Sequence, residues 1–587
     1  MPAVSRLPIA SLVFALTLSL AAGILGRGYW TPDEPREADL SWRMSWQADK
    51  SVPLLAGEPF CEKPPLAYWA AGAAMRWGGT AAWVARLPNL LYALITALAV
   101  GALAHRAAGK VAGLVAAAAI STFLLSYQVT IWLATDAPLL AAVAAALLGL
   151  HAGFHATDSR QRLRGYTFMH VALAAGFLAK SAAAWMVPAL TLATLILWER
   201  RFRELKRWEL YAGLGLQAAV ILPWVWAVYR GPDGPAHLQV FFWNNLAGRF
   251  AHVDAPDAIQ YTSGHQNTPG KYLLELPVYL WPWTLLVPAA LRKAWKDRGD
   301  GSRPEIRFAA AVFVPTLVFL SVAATARNIY LAPALPGVAL LLGWWADGLR
   351  GSADRWDALA VRATVILLLA AIVACAAAVL VVGFDGWHEM PSRSSFVCVT
   401  AAGLALAGMA ARAAWRAVRR GLPLQALYAC LVIYAALLTG PAFGIYGQVD
   451  TWQDLGSIGR AVARDLGSKP LVLFAPDETT RAFVDMDVRD AVTLIAGPAD
   501  AEASDALARA LATAPTSLVL AQLAGRNESR ALEAWHRLTT SDVPAPSPRL
   551  DATLPAWAHD AGLRALRTYA LPNGRRYALL ERAQPPS

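Results

Sequence analysis

The chain is poor in charge. Only 16% of its 587 residues are Asp, Glu, Lys or Arg, too few to clothe the surface of a water-soluble enzyme of this length. Cysteine is scarce as well: Cys61, Cys375, Cys398 and Cys430 show no paired spacing, which excludes a disulfide framework and a zinc knuckle. The last three lie in or beside apolar runs and read as small hydrophobes. Acidic residues are outnumbered, 41 against 52 basic ones, for a formal charge of +11. In a soluble chain that surplus would point to nucleic acid. Here the basic residues fall in short loops between apolar runs, so membrane topology accounts for them and no nucleic-acid partner is expected.

What is abundant is hydrocarbon. Hydrophobic residues make up 57% of the chain and the mean hydropathy is +0.39. Apolar runs of about 18 to 24 residues recur, the length a helix needs to cross a ~30 Å hydrocarbon layer. They fall near 7–26, 81–104, 111–128, 138–156, 166–181, 183–198, 209–228, 272–291, 307–324, 329–346, 360–382, 396–414 and 423–446. The expected fold is therefore a polytopic α-helical membrane protein with about thirteen transmembrane helices. The first run, Leu7 to Gly26, reads as a retained signal anchor with a cytoplasmic N-terminus, because further apolar runs follow it.

Alternate loops test that topology. His105, Arg106 and Lys110, then Arg160, Arg162 and Arg164, then Arg200, Arg201, Arg203, Lys206 and Arg207 occupy successive exits on one side. Arg292, Lys293, Lys296 and Arg298, then Arg350 and Arg355, then Arg412, Arg416, Arg419 and Arg420 continue the series. Basic loops face the cytoplasm, so the first loop, 27–80, is expected outside. An odd span count puts the C-terminus outside too. From about Gly447 the composition becomes that of a soluble domain. Pro470–Ala475 and Ser517–Ala521 read as buried strands, Ala501–Ala514 as a helix between them, and Arg567–Leu571 with Arg575–Leu580 as a hairpin about Asn573-Gly574. The expected division is a transmembrane catalytic domain, 1–446, and an extracytoplasmic α/β domain, 447–587. The Asn527-Glu-Ser529 sequon reads as a chance occurrence.

Against this background the stretch from Arg27 to Tyr68 stands out, with Asp33, Glu34, Arg36, Glu37, Asp39, Glu58, Glu62 and Lys63 between two apolar runs. Asp33-Glu34 opens an amphipathic helix carrying Leu40, Trp42, Met44 and Trp46. On the same expected side lie Asp136 in TDAPLL, Lys180 in FLAKSAA, His265 in TSGHQNTPGKY, and Arg327 with Tyr330 in ARNIYLAP. An ionisable group at membrane depth costs about 2.5–3.5 kcal/mol, so a one-sided cluster is a functional-site hypothesis. Taken singly, each has a bland reading: Lys180 snorkels, Asp136 caps its helix, His265 is a loop histidine. Their convergence favours a site.

A carboxylate at the water–membrane boundary can orient or deprotonate an acceptor hydroxyl, or steady positive charge developing on a sugar ring. Arg36, Lys63, Lys180 and Arg327 suit the grip of a phosphate. Glu62 and His265 are the best candidate pair for a divalent ion. Together these groups fit transfer of a sugar from a lipid phosphate.

The segments TPDEPREADLSWRM, FCEKPPLAYW and WVARLPNLL resemble the first extracytoplasmic loop of the GT-C membrane glycosyltransferases. The similarity is to the branch of the protein mannosyltransferases and the aminoarabinose (4-amino-4-deoxy-L-arabinose) lipid A transferases. It continues through TDAPLLAA, GFLAKSAAAWMVP, GHQNTPGKYLLELPVYLWPW and ARNIYLAPALPGVALLL. The resemblance implies that Asp33 is the catalytic carboxylate with Glu34 and Arg36 beside it, and that Lys63 contacts the donor phosphate. It implies that Asp136 and Lys180 line the cavity, with Arg327 and Tyr330 among the substrate-binding residues and Arg327 where that branch usually has Lys. Glu62 and His265 match the pair that holds zinc there, with magnesium the other divalent metal considered.

Three departures separate the reaction from the sugar. Glu37-Ala38-Asp39 stands where Tyr-Ala-Glu is usual, Gly270-Lys271 replaces an aromatic pair before Tyr272, and Ser181 follows Lys180 where Gly is usual. The resulting expectation is a bacterial inner-membrane glycosyltransferase with its site on the periplasmic side. It takes an aminoarabinose-like or other pentose or hexose from a polyprenyl-phosphate donor to lipid A or another envelope glycan or lipid, among membrane lipids. A protein O-mannosyltransferase is the rival within the class. A lipid or solute transporter is the rival outside it, and would place polar residues at mid-bilayer in paired repeats.

Overall fold

The computed structural model describes residues 6–247, 270–298, 304–323, 327–350, 353–385 and 393–440 and, with short gaps, 446–523, 554–571 and 575–583. Helix dominates. In chain order come α1 Arg6–Leu25, α2 Asp33–Trp46, α3 Leu66–Gly78, α4 Ala82–Ala108, α5 Lys110–Thr122, α6 Leu124–Ile131, α7 Asp136–Phe154, α8 Ser159–Lys180, α9 Ala183–Trp198 and α10 Trp208–Arg230. A short α11, Gly234–Leu238, leads into a π-helical stretch, Gln239–Ala247. Then follow α12 Lys271–Tyr279, α13 Val287–Asp297, α14 Pro304–Val322, a 3₁₀ stretch Asn328–Ala334 joined to α15 Leu335–Gly348, α16 Arg355–Asp385, α17 Arg393–Arg419 and α18 Pro423–Thr439.

Among the described residues, 7 helices are long and apolar enough to cross a membrane, and α5 with α6, bent by 63°, gives an eighth if the pair is counted as one broken span. The protein is a multi-pass membrane protein. Its expected span at 272–291 is not one helix: Pro277 and Pro282 each lack an amide donor, and the chain breaks between α12 and α13. The helix expected at 166–181 begins earlier, at Ser159, because Asp158 accepts a hydrogen bond from the Gln161 amide at 2.7 Å and caps it.

At the centre lies α7, an Ala- and Leu-rich helix buried over 83% of its apolar window. It packs backbone to backbone on α8 because the contact is made of glycines. A Cβ added at Gly165 would sit 2.4 Å from the Gly153 nitrogen, and one at Gly149 would sit 2.6 Å from the Met169 nitrogen. Small residues at such crossings are how membrane helices gain dispersion contact without a hydrophobic driving force. By contrast α4 turns Leu91 and Leu98 outward, 57% and 62% exposed, as a lipid-facing stripe should.

In the first loop, β1 Leu54–Leu55 and β2 Glu58–Pro59 pair as a small antiparallel hairpin. Its turn residues Ala56 and Gly57 both have positive φ, and the Ala56 amide donates to Asp39 at 2.7 Å. The remaining strands are β3 Leu471–Phe474, β4 Val492–Ile495, β5 Leu518–Leu523, β6 Leu563–Ala570 and β7 Arg576–Arg582, in the order β4-β3-β5-β7-β6. β4, β3 and β5 run parallel and β7 is antiparallel to β5 and β6. The strand period puts Leu471, Leu473 and Leu520 on one face with Val462 and Phe483 of the helices Leu455–Leu466 and Glu478–Asp487. Val472, Phe474 and Val519 cover the other face with Leu507 of Ala501–Thr513. β4 was not legible as a strand in the sequence. The Asn573-Gly574 turn and the sequon lie outside the described residues.

This α/β unit is tied to the first loop by polar contacts. Asp450 accepts from the Gly28 amide at 2.7 Å and from the Trp30 indole at 3.0 Å. Gln453 accepts from the Thr31 amide and hydroxyl at 3.1 and 2.9 Å, and Arg43 Nε donates to Asp485 at 2.7 Å.

Candidate active site

A cavity of about 240 Å³ opens where the first loop meets α7, α8, α9 and the 3₁₀ stretch, and its wall includes Glu62, Lys63, Asp136, Lys180, Ser181 and Tyr330. Five residues singled out from the sequence therefore share one cavity. Leu139, Met186, Phe241, Phe319 and Pro333 supply much of the remaining wall, which is mostly apolar apart from Asn245. Two ammonium groups and apolar side chains thus line the same cavity.

Lys180 ends α8, where a cation is favoured by the helix dipole. Its Nζ donates to Asp136 Oδ1 at 2.5 Å and lies 5.4 Å from the Tyr330 ring centre. Asp136 is the first residue of α7 but makes no capping hydrogen bond to it, because its carboxylate is turned to Lys180; the cap reading gives way to the site reading. Lys63 follows the β1–β2 hairpin and donates to Glu37 at 2.7 Å. Burial disfavours the Lys63 ammonium, but the carboxylates of Glu37 and Glu62 outweigh it and hold the group above the usual lysine range. Glu37 is one of the departures in the loop; the sequence alone offered no partner for it.

Asp33, with Arg36 and Arg327, is outside the lining of this cavity and sits between those two guanidinium groups. Arg36, one turn along α2, donates to it at 3.1 Å, and Arg327 Nη1 lies 3.8 Å from its other oxygen. Arg36 also pairs with Glu478 of the α/β unit. Burial lowers the Arg36 affinity for its proton, but Glu62, Glu37, Glu478 and Asp33 raise it further, so the cation is fixed.

Glu34, expected to act with Asp33, is not brought to the cavity. It is fully buried and pairs with Arg27 and with Arg86, at 2.9 Å for the latter. The amides of Trp30 and Leu133 donate to it at 2.9 and 2.8 Å. Burial pushes this carboxyl up, but Arg86 and Arg27 more than offset it, and the group lies below the ordinary glutamate range. Its lone pairs are committed to holding the loop on α4 and α6, which leaves none for a substrate proton. Arg86, which the sequence reading passed over, carried a signal of its own, a charged residue inside an apolar run.

Asp39 faces Asp485. Burial first, then the hydrogen bond and charge of Asp485, raise the Asp39 carboxyl well above its ordinary value. Cys61 is buried, with its thiol pushed up to about 12 by burial, so it stays protonated and is no nucleophile. Asn245 donates to the Cys61 carbonyl at 2.7 Å and helps close the cavity. His265 lies outside the described residues, and among the described residues no three His, Cys, Asp or Glu side chains converge as a metal would require.

The family model described as dolichyl-phosphate-mannose-protein mannosyltransferase matches residues 62–226. The undecaprenyl phosphate-alpha-4-amino-4-deoxy-L-arabinose arabinosyl transferase of Pseudomonas paraeruginosa is 30% identical over 403 residues, covering 68% of this chain and 70% of the relative. That of Yersinia enterocolitica is 28% identical over 382 residues, covering 64% and 65%. Among solved structures, ArnT from Cupriavidus metallidurans bound to undecaprenyl phosphate superposes over 98% of both chains with a TM-score of 0.68 at 19% identity. Its apo state gives 0.66.

Proposed function

The chain belongs to the undecaprenyl phosphate-aminoarabinose arabinosyl transferase family of GT-C glycosyltransferases, and from that premise we propose how it works, on which lipid and on which side of the membrane. It is a glycosyltransferase. Its donor is a sugar on a polyprenyl phosphate, and its acceptor is lipid A or another envelope component at the outer face of the inner membrane. About thirteen helices cross the bilayer, counting the shorter apolar ones, and the α/β unit from about residue 447 lies outside the cytoplasm.

The observation that carries this reading is the cavity whose wall holds Lys63 and Lys180 together with Leu139, Met186 and Phe319. A phosphate meets the ammonium groups while the isoprenoid lies on the apolar side. Asp33 orients the acceptor oxygen and, where that oxygen is a hydroxyl, takes its proton. The acceptor oxygen bonds to the sugar C1 as the bond from C1 to the phosphate oxygen breaks. The polyprenyl phosphate leaves with its charge balanced by Lys63, Lys180 and Arg327. Arg36 and Glu34 act as positioning residues, Arg36 on Asp33 and Glu34 on the loop. Zinc or magnesium at Glu62 and His265 is a separate proposal, tested by whether chelation lowers activity and added metal restores it; no step above uses it.

The test is the mass spectrum of envelope lipids from cells with wild-type protein, Asp33→Ala protein or none. One sugar-sized increment should vanish equally in the last two. If inserted Asp33→Ala protein restores it, the first-loop mechanism is wrong. The mannosyltransferase model at 62–226 favours a second reading, and a hexose increment on a protein would establish it.

A further inference from the structure

The end of the helix bundle opposite the cavity carries a second constellation. α7 has 19 residues, so its two ends are about 28 Å apart, close to the thickness of the hydrocarbon layer. Asp136 stands at one end with Lys180. At the other, an open groove of about 600 Å³ is lined by Arg106 from the end of α4, His151 and His155 from the end of α7, and Gln161, Arg164 and Phe168 from the start of α8. The groove exists because Gly149, Gly153 and Gly165 draw the two helix backbones together and leave no side chain to fill the space beside them.

Its polar groups are spare. Arg106 and Arg164 are exposed, and neither pairs with a carboxylate among the described residues. The two histidine rings are 4.4 Å apart, and His155 Nδ1 lies 3.1 Å from the His151 carbonyl. His155 Nε2 is buried without a hydrogen-bond partner among the described residues. Two acids stand near the histidines: Glu199, which faces Arg201 and Arg307 at 3.8 and 3.9 Å, and Glu305, which shares the adjoining pocket with His151. Two guanidinium groups, two imidazoles and an amide thus surround an open cleft flanked by the half-buried Leu148 and the exposed Phe168. Basic loops alone, set by topology, would spread their charges in water. These converge on a groove beside apolar side chains, at the depth of lipid headgroups.

We propose that this groove binds the phosphate headgroup of an anionic phospholipid of the opposite leaflet, with one acyl chain along Leu148 and Phe168. Arg106 and Arg164 grip the phosphate, as guanidinium groups between membrane helices do, and the histidines and Gln161 complete its hydrogen bonds. The site is independent of sugar transfer.

Purified full-length protein in detergent, titrated with phosphatidylglycerol and read by native mass spectrometry, tests this. Wild type should retain one more phosphatidylglycerol than the Arg106→Gln/Arg164→Gln variant, whose affinity for that lipid falls about tenfold or more. The Arg106→Lys/Arg164→Lys variant should keep most of it. Phosphatidylcholine should bind all three equally, and inorganic phosphate should not displace the retained lipid. Equal phosphatidylglycerol retention by wild type and the glutamine variant, with both shown folded by thermal melting, overturns the site. Displacement by inorganic phosphate overturns the lipid as its ligand.

Discussion

Lys63 and Glu37 form a 2.7 Å ion pair across the first loop, 26 residues apart in the chain, at the rim of the cavity. Glu37 is nearly inaccessible and the lysine side chain is 12% exposed. A carboxylate so placed sets where the ammonium points before any phosphate arrives. Glu37→Gln should lower donor affinity at least tenfold and reduce stability by about 3 kcal/mol or more, because it leaves a buried cation short of its partner. Isothermal titration with the polyprenyl phosphate and a thermal melt measure the two effects. The Lys63 ammonium is held above its ordinary range, so the stability it contributes is fully present below about pH 10.4 and is lost only as pH rises through the folded value. Donor binding should therefore show no alkaline decline from Lys63 between pH 7 and about 10.

Asp33→Asn should keep the helix and its contact with Arg36 while removing the charge. Transfer should fall about a hundredfold or more, with donor affinity within a fewfold of wild type. A loss confined to affinity would remove Asp33 from the chemistry.

Glu34→Gln tests the buried network. Two guanidinium groups, Arg27 and Arg86, would lose their common counter-charge, at a cost of about 3–5 kcal/mol. Because the Glu34 carboxyl lies below its ordinary value in the fold, its contribution is present above about pH 4.3 and is lost as pH falls through the folded value. The melting temperature of wild type should drop on that acid limb, and the variant should lack this part of the decline.

Asp39 has the opposite sign. Its raised carboxyl favours the fold at low pH, and that advantage is lost progressively as pH climbs from about 3.9 through the folded value. Asp39→Asn keeps an oxygen for the Ala56 amide and removes the repulsion with Asp485. It should raise the melting temperature at pH 8 and change it little at pH 4.

Ser181 has φ 53° and ψ −147° at the end of α8, a region essentially reserved for glycine. Ser181→Gly should stabilise the protein by about 1 kcal/mol or more, seen as a higher melting temperature, whereas Ser181→Ala should not.

How much of this was legible turns on contrast. Asp136, Lys180 and Lys63 stand out because each interrupts or borders hydrocarbon, and all three line the cavity. Arg86 carries the same signal within α4 and could have been read with them. Glu37 and Glu34 could not be told apart from Asp33 by composition; only the fold sends one to Lys63, one to Arg27 and Arg86, and one to Arg36. Asp450, Glu478 and Asp485 lie where charges are ordinary, so nothing marked them as partners of the first loop. β4 escaped because Val492–Ile495 is four residues long and mostly not buried. The break between α12 and α13 was written in Pro277 and Pro282, but the apolar character of 272–291 masks it.

Arg36 is held between Asp33, three residues before it, and Glu478, 442 positions further along the chain. A ribosome adding about 5–20 residues each second needs roughly twenty to ninety seconds to travel that distance. Throughout that interval the cavity-lining helices can enter the membrane while Arg36 still lacks one of its two anchors, so the seam between the first loop and the α/β unit is among the last contacts of the chain to close.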